Sequence, residues 1–146
     1  MIKCAPVFLL LGVFVLGVAA QDATKPAQST SSADSKIPDD AKKQVNPIKP
    51  SADSVAEGKK IYSTDCAMCH NANGDGKGDL AADMKLNLVD LRDSASLKDV
   101  TDGEIFYLIK NGKGDMPPEG DRLKTNEIWN VVNYVRSLAK KDAAEK

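Results

Sequence analysis

Cys66-Ala67-Met68-Cys69-His70 decides how the rest of this chain is read. Two thiols three residues apart, followed at once by the chain's one histidine, have the spacing of a covalent c-type haem attachment site. On a helix, residues three apart share a face. Both sulfurs then reach one edge of a macrocycle while the imidazole turns toward its iron. Two other chemistries use part of this pattern. Structural zinc needs four ligands, and beyond Cys4 the sequence offers only Cys66, Cys69 and His70, so the shell would have to close on a carboxylate. A thiol-disulfide pair belongs where a strand meets a helix in a βαβ unit, and no such strand is legible here. Haem attachment is the reading the spacing supports best.

Upstream of the motif, Ser54-Val55-Ala56-Glu57 has the spacing of a capping box and predicts a helix start. Val55, Gly58, Tyr62, Cys66 and Cys69 follow as one stripe, which carries the motif toward the core. Gly58 inside that helix costs about 1 kcal/mol relative to alanine, and close approach of another backbone or a ring would account for it. Downstream, residues 71–79 (Asn-Ala-Asn-Gly-Asp-Gly-Lys-Gly-Asp) specify a loop. Its glycines resemble a phosphate or calcium loop only weakly, because no Gly-Lys-Ser/Thr and no correctly placed glutamate follow. Residues 80–97 are poorly periodic, with room for one short helix, and offer Leu86, Leu88, Val89 and Leu91 as haem or core contacts.

Thr101-Asp102-Gly103-Glu104 is a second capping box, and Ile105, Phe106, Leu108 and Ile109 give the apolar face of a helix that Asn111-Gly112 ends. Next, Lys113-Gly114-Asp115-Met116-Pro117-Pro118 reads as an exposed turn with a thioether at its tip. The prolines restrict the backbone on either side of that methionine and hold its sulfur in one place. A last helix is predicted from Asn126 to Lys140, capped by Thr125, with Ile128, Val131, Val132, Val135 and Leu138 at helical spacing. No alternating apolar run predicts a sheet, so the fold class is all-α.

The N-terminal third differs in character. Residues 1–20 read as an export signal, with Lys3 before an apolar run and Val18-Ala19-Ala20 before Gln21. An uncleaved membrane anchor is the alternative, although the run is slightly short of the roughly 20 residues a span requires. Cys4 precedes the apolar run and is not placed like an acylated lipoprotein cysteine. Residues 21–50 are polar and lack aromatics, and are read as a disordered linker, or as a tether if the signal stays. The domain proper is expected over 51–141, with 142–146 as a tail. The net charge of −1 argues against nucleic acid as a partner. Export also suits thiols that are committed to another bond. The 21 acidic residues are assigned to linker, caps and solvated faces, with no paired-carboxylate site and no catalytic residue among them.

From about Ser51 to Leu138 the chain resembles the class I c-type cytochromes. Cys-Ala-Met-Cys-His, the glycine-rich loop, the Ile-Lys-Asn-Gly turn and Met116-Pro117 occur in that family's order. The resemblance implies a small cytochrome c fold, three to four helices around one covalently attached haem c. It implies thioether bonds from Cys66 and Cys69, iron ligation by His70 and Met116, and crossing of the first and last helices with Gly58 facing Tyr134. One departure stands out: many relatives carry a proline whose carbonyl supports the ligand histidine, and residues 80–100 contain none. Another carbonyl is expected to replace it. With a single histidine, two-histidine ligation within this chain is ruled out. Met68 lies inside the attachment turn and Met84 close after it, so Met116 is preferred and Met84 is the fallback. A His/Met iron has no open position, the profile of an electron carrier and not an enzyme. The resemblance implies a monomer in the periplasm or another extracytoplasmic space, possessing redox protein donors and acceptors such as membrane respiratory or dehydrogenase complexes. A five-coordinate haem enzyme or gas sensor, and a haem subunit of a larger oxidoreductase, are the competing functions.

Overall fold

The helix that leads to the attachment motif begins at Ser51, three residues before the expected box. In the computed structural model, which describes residues 36–144, Ser51 Oγ accepts from the Ser54 N–H at 3.1 Å and Ser54 Oγ accepts from the Ser51 N–H at 2.9 Å. A serine thus fills the reciprocal role usually given to glutamate. Glu57 instead accepts from Lys60 at 2.6 Å. The elements are α1 (Asp39–Lys42), α2 (Ala52–Asp65), α3 (Ala67–His70), α4 (Asp79–Asp83), α5 (Ser94–Leu97), α6 (Asp102–Asn111) and α7 (Thr125–Ala144). Three are long and four are single turns. There is no strand among the described residues, only an isolated bridge between Lys113 and Met116. The expected signal segment, residues 21–35 and the last two residues of the expected tail lie outside the described residues.

Two sequence expectations shift by small amounts. The stretch 80–97 forms two one-turn helices, α4 and α5, where one was expected. Helix α7 already includes Thr125, and the Glu127 carboxylate reaches back to accept from the Lys124 N–H at 2.7 Å. The box at Thr101 and Glu104 forms as read, and Gly112, at φ +73°, ends α6.

Helices α2 and α7 cross at Gly58. A Cβ there would stand 2.0 Å from the Asn130 carbonyl oxygen and 3.0 Å from Tyr134 Cβ, so only glycine permits this approach. Tyr62 and Tyr134 meet edge-on one turn along, with centroids 5.0 Å apart. Ile128, Val131 and Val132 are fully buried beneath the crossing, each contributing about 2 kcal/mol. Helix α6 lies against α7 through Phe106, whose ring stacks on Trp129 at 4.2 Å. Arg136 fastens α7 to the α5–α6 connection: its guanidinium donates to Asp102 at 2.7 Å, to the Leu97 carbonyl at 3.0 Å and to the Val100 carbonyl.

The packed unit reaches upstream of Ser51, into the stretch read as linker. Ala41 is buried against Gly103. Asn46 Nδ2 donates to Asn133 Oδ1 at 2.9 Å, and Asn133 Nδ2 donates to the Ile48 carbonyl at 3.1 Å and to Ser54 Oγ at 3.2 Å. Asn133 is itself 3% exposed, so this network satisfies a buried amide that would otherwise be costly. Residues 44–48 are a strap held to the middle of α7, where Asn133 also reaches Ser54 at the start of α2, twelve residues ahead of Cys66.

Candidate haem attachment site

Helix α2 ends where the motif begins. The Cys66 N–H still donates to the Tyr62 carbonyl at 2.9 Å, and the chain then turns once more as α3. The Cys66 carbonyl accepts from the Cys69 N–H at 3.2 Å and the His70 N–H at 2.9 Å. This single turn brings Cys66, Cys69 and His70 together; Cys69 is on α3 and does not extend the α2 stripe. Both cysteines are half-buried free thiols. Among the described residues no three His, Cys, Asp or Glu side chains converge as a cage for a bare metal ion.

The turn is held from both sides. Tyr62 Oη donates to the Asn71 carbonyl at 3.0 Å, which ties the end of α3 back to α2. From the other side, the Gly78 N–H donates to the Cys69 carbonyl at 3.0 Å and the Gly76 N–H to the His70 carbonyl at 3.0 Å. A Cβ at Gly78 would stand 2.2 Å from the Met68 carbonyl oxygen, so the loop presses on the motif's backbone. The loop is organised by its own acid: Asp75 accepts from the Lys77 N–H at 2.9 Å and from Asn71 and Asn73 amides at 3.0 and 3.2 Å. These bonds, led by that of Lys77, hold its carboxyl below the usual range. Asp75 is therefore a loop organiser, and no phosphate or calcium role is needed to explain it.

The electrostatics of the motif are those of a buried, un-ionised thiol beside a neutral imidazole. Burial, followed by the charges of Glu119, Asp65 and Cys69, pushes the Cys66 thiol up to about 12, with Arg122 opposing. Thiol-disulfide catalysts need the reverse, a depressed thiol that is ionised near neutral pH. Burial also lowers the His70 pKa, which favours the neutral, metal-ligating form. His70 Nδ1 is buried without a hydrogen-bond partner, so the carbonyl expected to replace the missing proline is not supplied by the described residues. An orphaned nitrogen on a buried imidazole beside two free thiols fits a haem bonded here.

Met116 stands on a closed turn. Its N–H donates to the Lys113 carbonyl at 3.0 Å, and its carbonyl accepts from the Lys113 N–H at 3.0 Å. Its side chain is half-buried against the core, whereas Met68 is 61% and Met84 46% exposed. Leu86, Leu88 and Leu91 are half-buried, and Val89 is exposed.

One group escaped the sequence reading. Glu119, three residues after Met116, is 5% exposed, contrary to its assignment to a solvated face. Arg122 Nη1 stands 3.4 Å from Glu119 Oε2, within ion-pair range but not aligned as a hydrogen bond, and Oε2 has no hydrogen-bond partner. The same guanidinium donates to Asp65 at 2.7 Å, joining the end of α2 to the turn after Met116. Only the unusual acid between Pro118 and Gly120 could have signalled this, and the polar Asp121 and Arg122 close after it argue for exposure.

A helical domain that brings two free thiols and a buried imidazole onto one turn defines a covalent-haem protein. The family described as "Cytochrome C oxidase, cbb3-type, subunit III" matches residues 53–135. Cytochrome c6 of Cladophora glomerata is 37% identical over 88 residues, covering 60% of this chain and 92% of that protein. Among solved structures, the KustC0563 c-type cytochrome aligns with a TM-score of 0.50 at 26% identity, over 56% of this chain and 95% of its own. A chain of the Kuenenia stuttgartiensis reducing HAO-like protein complex Kustc0457/Kustc0458 shares the fold at a TM-score of 0.53 and 24% identity, over 63% of this chain and 46% of that one. The chain belongs to the class I c-type cytochromes, the small all-α proteins whose haem c and its iron are covalently bound. Its one attachment motif makes it a monohaem electron-transfer cytochrome.

Proposed function

We propose that this cytochrome is a one-electron carrier whose haem is bonded through Cys66 and Cys69, with iron held between His70 and Met116. The bound haem supplies the one-electron couple; the chain supplies its fixing and its surroundings. Neutral His70 offers a lone pair at no cost in proton release. The observation that carries Met116 is its immobilised, half-buried position, against the solvent-exposed Met68 and Met84. A thioether ligand favours the ferrous state and leaves no open position for substrate, which separates a carrier from a haem enzyme.

The remaining parts of the reading follow from the sequence. Residues 1–20 are an export signal, the protein works outside the cytoplasm, and its partners are redox proteins. Lys77, Lys85, Lys110 and Lys113 are interspersed in the sequence with Asp75, Asp79, Asp83 and Asp115 around the proposed site, so docking is steered only modestly by charge. No helix among the described residues is long and apolar enough to cross a membrane. The matched family's description as an oxidase subunit favours one second reading, a haem subunit of a larger complex. Whether the exported protein purifies alone as a single chain distinguishes the two.

The test is substitution of the two candidate methionines in loaded protein. Met116→Ala is expected to lower the reduction potential, remove the sulfur-to-iron charge-transfer band and admit carbon monoxide to the reduced protein. Met84→Ala is expected to leave all three as in the wild type. The opposite pattern makes Met84 the ligand, and no effect from either removes the His/Met mechanism.

A further inference from the structure

We propose that Glu119 couples electron transfer to proton transfer: its carboxylate takes up one proton when the haem is reduced and releases it on oxidation. The inference rests on the electron-carrier reading above and adds a proton to it.

The geometry makes Glu119 a built feature of the site. Its side chain is 7% exposed and its Oε2 is buried without a hydrogen bond. Its backbone is fixed at both ends, the N–H donating to the Ile109 carbonyl at 2.9 Å and the carbonyl accepting from Arg122 and Leu123 N–H groups at 3.1 and 2.9 Å. The carboxyl is therefore held inward on a rigid turn. Among charged groups it acts most strongly on Cys66, the thiol to which the haem is bonded. The charged groups that face it are Arg122, on its own turn, and Asp65, at the end of α2. Cys66 is spent in a thioether in the loaded protein and does not titrate.

An electron arriving at the haem removes one positive charge from this low-dielectric neighbourhood. A nearby carboxylate then binds a proton more tightly, and by reciprocity the bound proton raises the affinity for the electron. The balance is one electron from the donor protein and one proton from solvent, forming a Glu119 O–H bond; both leave on oxidation. Burial raises the Glu119 carboxyl pKa, Asp65 adds to this and Arg122 opposes it, so the coupling lies on the alkaline side of the ordinary carboxylate range. The potential falls as pH rises through that interval and is level on either side of it.

The experiment is potentiometric titration of the loaded, full-length protein from about pH 4.5 to 9, with Glu119→Gln and Arg122→Gln beside it. The wild type is expected to show a falling segment whose slope is no steeper than the one-electron constant of about 59 mV for each tenfold change in proton activity. Glu119→Gln should stay level across that segment, and Arg122→Gln should move it to higher pH. A segment that persists in Glu119→Gln, or a wild type with none, overturns the proposal. In both cases a reversible one-electron response leaves the carrier reading standing, whereas its absence would sink that reading instead. If Glu119→Gln fails to load haem, redox-difference infrared spectra of wild type labelled with ¹³C at the glutamate carboxyl decide the matter. A labelled carboxylic-acid band that grows on reduction supports the coupling, and its absence refutes it.

Discussion

The two sides of the α2–α7 crossing are finished differently. On the strap side, Asn46, Ser54 and Asn133 satisfy one another and the local backbone in one network. On the attachment side lie the two buried side-chain atoms that have no hydrogen-bond partner among the described residues, His70 Nδ1 and Glu119 Oε2. Buried polar groups in native proteins are nearly always paired, so each exception asks for an explanation. Here the polypeptide completes its own scaffold on one side and keeps unspent polar chemistry on the side where it bonds the haem.

This contrast can be broken most severely at the motif. Replacing Cys66 and Cys69 together by alanine should abolish covalent haem, so that none survives denaturing electrophoresis. Haem persisting in that variant would remove the attachment side from the comparison. The strap side should respond in stability and not in spectrum. Asn133→Leu removes the bonds to Asn46, to Ser54 and to the Ile48 carbonyl and should cost about 2–4 kcal/mol in chemical denaturation, with the visible spectrum unchanged. A changed spectrum with unaltered stability would show that the two sides are not separable. The smallest effect belongs to the loop before α5, where Asp90 accepts from Arg92 Nε at 2.9 Å and Nη2 at 2.8 Å. These hydrogen bonds hold the Asp90 carboxyl at about 2, below its ordinary 3.8. Because the folded value is the lower one, the contribution is fully present above pH 3.8 and is lost as pH falls through about 2. The pair is partly exposed, so Asp90→Asn should remove on the order of 0.5 kcal/mol and flatten that part of the acid profile. Unchanged acid unfolding would show that the pair contributes nothing.

What could be read from the sequence was what local chemistry dictates. The attachment motif is legible because covalent bonding to one macrocycle fixes a spacing of three. The α6 box is legible because Thr101 and Glu104 satisfy each other within a single turn. The start of α2 was misplaced because Ser51 and Ser54 cap each other with hydroxyls, while the Ser54–Glu57 pair imitated the commoner pattern. The strap was missed for a different reason. Its polar hold on the domain runs through Asn46 and the Ile48 carbonyl to Asn133, 87 positions from Asn46, and composition carries no trace of such bonds. Glu119 was missed likewise, since its burial is imposed by the fold of the Met116 turn and not by its polar neighbours.

The Asn46–Asn133 bond also determines where a mechanical load would go. The strap enters from the N-terminal side and is pinned to the middle of α7 before the chain reaches α2. A pull on residue 36 is met first where Ala41 packs on Gly103 and then at Asn133. The load is shared between α6 and α7 before the chain reaches α2. Strain entering at residue 36 therefore meets two helices of the scaffold before it meets the turn that carries the thiols.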